Sequence, residues 1–392
     1  MAIYPHIHCK GWRMNSLTGL FSPSELAALK KHIFVFSEGR FSSWDAVKDR
    51  QVVVFGAGHY GRGTIDLLLK EGVTPLFCVD ADSTRIGTSY KNILTRPVAA
   101  LAEAKNALVV LSSAYAGEMF TLCRQYPVET VLPIELPLAS TPVAPIGLHM
   151  EEYEHNANLA ELVALLDPTS REVLKNFLSF QFTLDLTYMQ KAYTPHPYFD
   201  RDFLHRIRYD VFCDLGASFG DTWHDYRTFT PCGKKNEYTY YAVEPDLNSF
   251  LQLQKNTIND RNVLPLFAAI SATDGMTYIS TEGQGSNLYF VDERKRAEVP
   301  MRSLDSLFHR LGPKPTVIKA DVEGGEANVL DGGHNLLRTV KPDLIFSLYH
   351  KKNDFYELPL RIAKAGAYEL GIRQHTTSYG ELMVYALAKE RQ

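Results

Sequence analysis

At 392 residues, with 45% hydrophobic and 22% charged residues and a net charge of −4, the chain has an ordinary globular composition and is too long for one core, so two or three domains are expected. The charge balance offers no electrostatic case for a nucleic-acid partner. No run approaches membrane-spanning length and the five cysteines are scattered without C-x-x-C spacing, which argues for a cytoplasmic protein with no membrane span and no disulfide framework.

Along the chain, His6-Ile7-His8-Cys9 has no further ligands in view, and no metal is expected there. Residues 1–45 read as an N-terminal helical segment: Ser22-Pro23-Ser24-Glu25 supplies a Ser N-cap, Pro at the first helical position and an acid in the first turn. Residues 46–140 then alternate strand and helix: VVVF as a strand, Thr64–Lys70 a helix, Pro75–Asp80 a strand, a polar loop, Asn106–Leu111 a strand, Gly117–Gln125 a helix and Thr130–Ile134 a short strand. That alternation predicts a parallel sheet with helices on its faces, a small Rossmann-like unit. Its first turn, Gly56-Ala57-Gly58-His59-Tyr60-Gly61, is a literal G-x-G-x-x-G, and Asp80 closes the next strand 19 residues after Gly61. Gly56, Gly58, Gly61 and Asp80 are therefore candidates for a second, nucleotide-type site, with a turn serving only packing as the competing reading.

Four prolines between Pro133 and Pro145 read as a linker, and Glu151 to Gln190 as helices, giving a connector over 141–205. Residues 206–392 carry a second, longer α/β pattern, with DVFCDLG, YTYYAVEPD, VLPLFAAIS, TVIKADVEG, DLIFSLYH and ELMVYALA as strands and NSFLQLQKNTI, GEANVLDGGHNLLRT and YELPLRIAKAG as helices. The predicted fold class is thus α/β with two Rossmann-like domains, and ligands are expected at the strand C-terminal ends of the second.

In the second domain, Asp214-Leu215-Gly216-Ala217-Ser218-Phe219-Gly220-Asp221-Thr222 closes a strand with an acid and turns on glycine. A carboxylate there repels phosphate but suits an ammonium, a charge pattern that fits S-adenosylmethionine (SAM) better than NAD. Glu244 follows 28 residues after Gly216, at the end of the next strand, where an acid accepts ribose hydroxyls. Asp214, Gly216, Ala217, Ser218, Gly220, Thr222, Glu244, Pro245 and Ala269 are the expected cofactor residues, with the FAAIS strand end offering backbone to adenine.

DLGASFGDT, AVEPD, RSLDSL, IKADVEGGEANVLDGG and SLYHKKNDFYELPL resemble the successive blocks of the FkbM family of SAM-dependent methyltransferases, over about residues 209 to 388. Ser218 stands where that family usually has Asn. The resemblance implies a class I methyltransferase sheet with an antiparallel last strand, and O-methylation of a hydroxyl.

IKADVEGGE places Asp321 and Glu323 at a strand end with Glu326 entering a helix. Three adjacent acids should raise at least one pKa, which suits a base. Glu326 reads equally well as a helix N-terminal acid. His350, at the next strand end, is read as a base or an orienting group. Asp321, Glu323 and His350 are the catalytic candidates. Lys351, Arg373 and His375 suggest a binding place for an anionic acceptor. The expected acceptor is a hydroxyl of a sugar, glycan or related metabolite; Asp321 with Asp354 offers a pair for a divalent ion, but no carboxylate-plus-amide spacing is evident and no metal is expected, and a homodimer is left open. An NAD(P)-dependent oxidoreductase built on the first turn and a non-catalytic scaffold are the alternatives.

Overall fold

A computed structural model describes residues 16–37, 50–113, 115–131, 148, 150–280 and 296–389. His6–Cys9 and the proline-rich stretch from Pro133 to Pro145 lie outside the described residues. The first helix, Pro23–Ser37, starts as expected from a reciprocal cap: Ser22 N donates to Glu25 Oε2 at 2.8 Å and Glu25 N donates to Ser22 Oγ at 3.3 Å.

Six strands follow: β1 (Val52–Phe55), β2 (Phe77–Asp80), β3 (Ser89–Tyr90), β4 (Ile93–Pro97), β5 (Leu108–Leu111) and β6 (Glu129–Val131). They form one sheet in the order β3-β4-β2-β1-β5-β6, parallel except at the β3–β4 hairpin. The segment expected to be a polar loop thus holds two strands. The hairpin turns on Lys91 and Asn92, both with positive φ (46° and 66°), the geometry that favours tight hairpins. Without a glycine in that turn, and with only five residues in β4, the signal was too weak to read. The helix expected from Thr64 starts at His59, inside the glycine turn.

Residues 157–192 form three helices, Ala157–Leu165, Pro168–Thr183 and Thr187–Ala192; the first two are capped by Asn156 and Asp167. Pro168–Thr183 is buried along most of its length. One continuous apolar cluster runs from Val53 and Phe55 through Leu174 and Phe177 to Leu344 and Val384, so the connector is shared core between the two sheets.

The second sheet comprises β7 (Val211–Leu215), β8 (Thr239–Glu244), β9 (Val263–Phe267), β13 (Val317–Ala320), β14 (Asp343–Ser347), β15 (Tyr368–Gln374) and β16 (Leu382–Ala388), in the order β15-β16-β14-β13-β7-β8-β9. All neighbours are parallel except β16, which runs antiparallel to β14 and β15. VLPLFAAIS splits: after β9, β10 (Ala269–Ile270) leaves to join β11 (Gly275–Ser280) and β12 (Arg296–Arg302) in a small separate sheet. GEANVLDGGHNLLRT likewise breaks at Gly333 into helices Glu326–Gly332 and His334–Thr339. From β7 the winding proceeds outward to β8 and β9 and then reverses to β13 and β14. The switch point, where open α/β sheets bind ligands, therefore lies between β7 and β13.

Candidate active site

The site begins where β7 turns. Gly216 has φ +78°, and a Cβ there would fall 1.9 Å from the carbonyl oxygen of Asp321. The glycine is thus what lets the β7 turn lie against the end of β13. Gly216 N and Ala217 N both donate to Val243 O, at 3.0 and 3.1 Å. Ser218 N donates to Glu244 Oε2 and Asp246 N to Glu244 Oε1, each at 2.8 Å. Burial pushes the Glu244 carboxyl up to about 7, against the pull of those two N–H groups.

A cleft open to solvent runs along the strand ends from Ser218, Thr222 and Glu244, past Ala269 and Ile279, to Asp321 and Glu323. Gly216 and Pro245 also line it. Four other expected site residues stand behind the cleft wall. Ala217 is fully buried, Gly220 sits in the left-handed conformation that starts helix Asp221–Phe229, and His350 is buried beneath the acids. Asp214 is the substantive correction. It is wholly buried, its Oδ1 lies 2.9 Å from Lys319 Nζ, and its Oδ2 accepts the Tyr240 hydroxyl at 2.6 Å. Its charge faces Lys319 and not a ligand.

Lys319, which sequence reasoning passed over, ties β13 to the glycine turn. Its Nζ donates to Gly216 O at 2.7 Å and lies 5.0 Å from the Tyr198 ring centre. Burial works against the ammonium, but Asp214 and Asp321 outweigh it and hold the pKa above the ordinary lysine value. The readable signal was a lysine inside the otherwise apolar strand VIKA.

At the far end of the cleft Asp321 is fixed by two tyrosines. The Tyr198 hydroxyl donates to Oδ2 at 2.6 Å, and the Tyr349 hydroxyl reaches both oxygens at 3.2 and 3.3 Å. His350 Nδ1 lies 2.9 Å from Glu326 Oε1, while its Nε2 faces Asp321 Oδ1 at 3.4 Å and Glu323 Oε2 at 3.5 Å. Glu326 Oε1 also accepts Val322 N at 3.0 Å, so Glu326 both braces the loop before its helix and orients the histidine. Burial alone would lower the His350 pKa; Glu326, Asp321 and Glu323 raise it to about 10. A cationic imidazole is a poor base, which favours the orienting role. Burial also works to raise Asp321, but His350, Lys319 and the Tyr198 bond hold it below the usual value. The raised acid is Glu323: burial, reinforced by Asp321, Glu326 and Glu244 and opposed by His350, pushes it up to about 7. Glu381, from the β15–β16 hairpin, completes the cluster; it too is pushed to about 7 by burial and Asp321. Neither Glu381 nor Tyr198 had a sequence signal, because each reaches the site from a distant segment.

The expected anion-binding group does not form. Arg373 is buried, with ion pairs to Asp202 and Asp200 and a bond to Ser170 Oγ. His375 is enclosed between the Tyr385 hydroxyl and Thr194 O, at 2.7 and 2.9 Å, and burial lowers its pKa to about 4. Lys351 is exposed on the following loop.

At the first glycine turn, a Cβ on Gly61 would fall 1.5 Å from Gly56 O, so this glycine serves helix packing. Asp80 Oδ2 accepts Ala57 N at 2.7 Å and Arg85 Nη1 at 3.2 Å, and Oδ1 accepts Asp82 N at 2.8 Å. Arg85 Nη1 also lies 3.1 Å from where a Gly58 Cβ would stand. The end of β5 is covered by the β15–β16 hairpin: the Tyr379 hydroxyl donates to Ser113 O at 3.3 Å, and a Cβ on Gly117 would meet Thr377 Oγ1 at 2.3 Å.

A seven-stranded sheet with one antiparallel strand inserted near its edge, and a cleft at the ends of β7, β8 and β13, defines the class I methyltransferase fold. Residues 214–370 match the family model described as the methyltransferase FkbM domain. That stretch carries an FkbM methyltransferase domain, as the sequence blocks implied. Among solved structures, the methyltransferase FkbM from Methylobacillus flagellatus KT aligns with 92% of this chain and 98% of its own at 17% identity, with a TM-score of 0.64. Aeropyrum pernix fibrillarin, crystallised with natively bound SAM, aligns over 46% of this chain and 67% of its own at 13% identity, with a TM-score of 0.29. UDP-D-quinovosamine 4-dehydrogenase from Vibrio fischeri aligns over 23% of this chain and 83% of its own at 19% identity, with a TM-score of 0.20. No curated protein matches the sequence. With the C-terminal half a methyltransferase domain, the reading of it as the substrate domain of an oxidoreductase falls. Among the described residues no helix is long and apolar enough to cross a membrane.

Proposed function

We propose that the protein is a SAM-dependent O-methyltransferase acting on a hydroxyl of a sugar, glycan or related metabolite. The observation that carries this reading is the single cleft joining a ribose-type acid, Glu244, to an acid cluster at Asp321 and Glu323. SAM would supply a methyl group on a sulfonium sulfur. Glu244, held by Ser218 N and Asp246 N, would accept the ribose hydroxyls, and Ala269, Ile270 and Ile279 offer an apolar wall to the adenine. Asp321, clamped by Tyr198 and Tyr349, positions the acceptor hydroxyl. The proton leaves to the neighbouring carboxylate of Glu323, the more exposed of the two. The new O–C bond forms as the S–C bond breaks, so alignment and water exclusion account for most of the catalysis. No cation of the expected anion-binding group lines the cleft, and carboxylates accept hydrogen bonds only, which favours a neutral polyol over a phosphorylated acceptor.

Equilibrium dialysis with labelled SAM and labelled NAD, followed by methyl transfer to a panel of sugars and glycans, tests this. SAM binding with label appearing in an alkali-stable ether is the expected result. Tight NAD binding without SAM binding would overturn it.

A further inference from the structure

We propose that Asp321, Glu326 and His350, with Glu323 at the cleft mouth, form a site for one divalent first-row transition-metal ion. The first three offer ligand atoms that all lie within 4.8 Å of one another. His350 Nε2 faces Asp321 Oδ1 at 3.4 Å and Glu323 Oε2 at 3.5 Å, and neither contact is a hydrogen bond. Two atoms bound to one metal at about 2.0–2.2 Å stand roughly 3.0–3.5 Å apart, so this spacing matches the edges of a coordination sphere.

A second observation is independent of that spacing. Glu326 is 1% exposed, and its Oε2 has no hydrogen-bond partner although Oε1 has two. Glu381 Oε2, facing the same cluster, is also buried without a partner. A buried carboxylate oxygen left unmatched is costly unless a cation meets it. Charge points the same way. Among the described residues Asp321, Glu323, Glu326, Asp354 and Glu381 gather around one histidine, and the buried Lys319 is matched by Asp214, so a bound ion would take the place of the proton on His350 Nε2.

The ligands are themselves held. Tyr198 and Tyr349 hold Asp321, and Val322 N holds Glu326, as the groups that orient metal ligands do. One imidazole with carboxylates favours Mn²⁺, Fe²⁺ or Zn²⁺ over Ca²⁺. The sequence carries no such signature, since the ligands come from two strand ends and a helix start rather than from a short motif. The consequence rests on the methyl-transfer reading: an ion here borders the cleft and would bind the acceptor oxygen, favouring its deprotonated form.

The experiment uses Mn²⁺ with the full chain, stripped by chelator, and needs neither SAM nor acceptor, so its outcome is separate from that of the transferase assay. Electron paramagnetic resonance titration should find about one bound Mn²⁺ per chain, with a rise in melting temperature. Glu326→Gln and Glu323→Gln should each weaken binding by at least about tenfold. Glu323 is a third exposed, so its variant folds and carries the test if Glu326→Gln does not. Absence of saturable Mn²⁺ binding in the wild type, or equal binding by folded Glu323→Gln, would overturn the site.

Discussion

At the first glycine turn Asp80 accepts hydrogen bonds from Ala57 N and Asp82 N, at 2.7 and 2.8 Å; at the second, Glu244 accepts from Ser218 N and Asp246 N, both at 2.8 Å. In each, an acid at the end of the second strand staples its own turn with one oxygen and its own loop with the other. The two then diverge. Asp80 also takes the Arg85 guanidinium at 3.2 Å, and the neighbouring end of β5 is covered by the β15–β16 hairpin. Glu244 faces a cleft that continues to Asp321. The acid is therefore first a brace for the turn, and only at Glu244 is its remaining face open to a cleft. A glycine fingerprint with its acid reports a fold and a turn, and the neighbours decide whether the turn is a site.

The comparison can be broken most sharply at the cleft acids. Asp321→Asn should lower turnover by about 10²–10⁴-fold with SAM affinity nearly unchanged, whereas Asp80→Asn should leave turnover intact. Steady-state kinetics beside SAM dialysis checks both, and a wild-type rate for Asp321→Asn would remove it from the chemistry. The next effect is on stability. Lys319→Met leaves Asp214 as an uncompensated buried charge and should cost about 3–5 kcal/mol; adding Asp214→Asn should restore part of it, read by denaturant unfolding.

Smaller again is the ribose contact. Glu244→Ala should weaken SAM binding by about 10–100-fold, given about 1.5–3 kcal/mol for bonds to a charged group. Its raised pKa, about 7, also gives a pH dependence. The free protein holds the proton below that value, and ribose hydroxyls donate to the ionised form, so SAM affinity should rise from pH 6 to pH 8. Asp246 opposes and Lys319 favours the ionised form, and both are present in Glu244→Gln, in which calorimetry should find the slope flattened. The smallest effect belongs to the first turn. Arg85 is half exposed, so Arg85→Ala should change stability by less than about 1 kcal/mol and leave SAM affinity alone. Nucleotide binding that appears only in this variant would show that Arg85 is what closes that turn.

Much of the scaffold was legible, because β1, β2, β5, β7, β8, β13 and β14 are short buried apolar runs set between amphipathic helices. What escaped had weak local signals: β3 and β4, turning on Lys91 and Asn92, and the excursion of β10 to β12 into a separate sheet. Among the residues that line the cleft, Ser218, Thr222, Glu244, Asp321 and Glu323 were readable because each sits at a strand end or in the loop that follows one. Tyr198, Tyr349 and Glu381 were not, since side chains reaching in from a connector, a strand end and a hairpin leave no spacing to read, and Lys319 left only the sign of a lysine inside an apolar strand.

Class was legible in the residues alone: two glycine turns after buried strands, and the ordered blocks of an FkbM methyltransferase domain. Tertiary structure decided which groups are free to act. It turned Asp214 inward onto Lys319, placed Arg85 on Asp80, withdrew Arg373 and His375 into the core, and gathered the acids around His350. The physical reason is that a charge's role depends on what lies within a few ångströms of it, and those neighbours come from segments a hundred residues or more away.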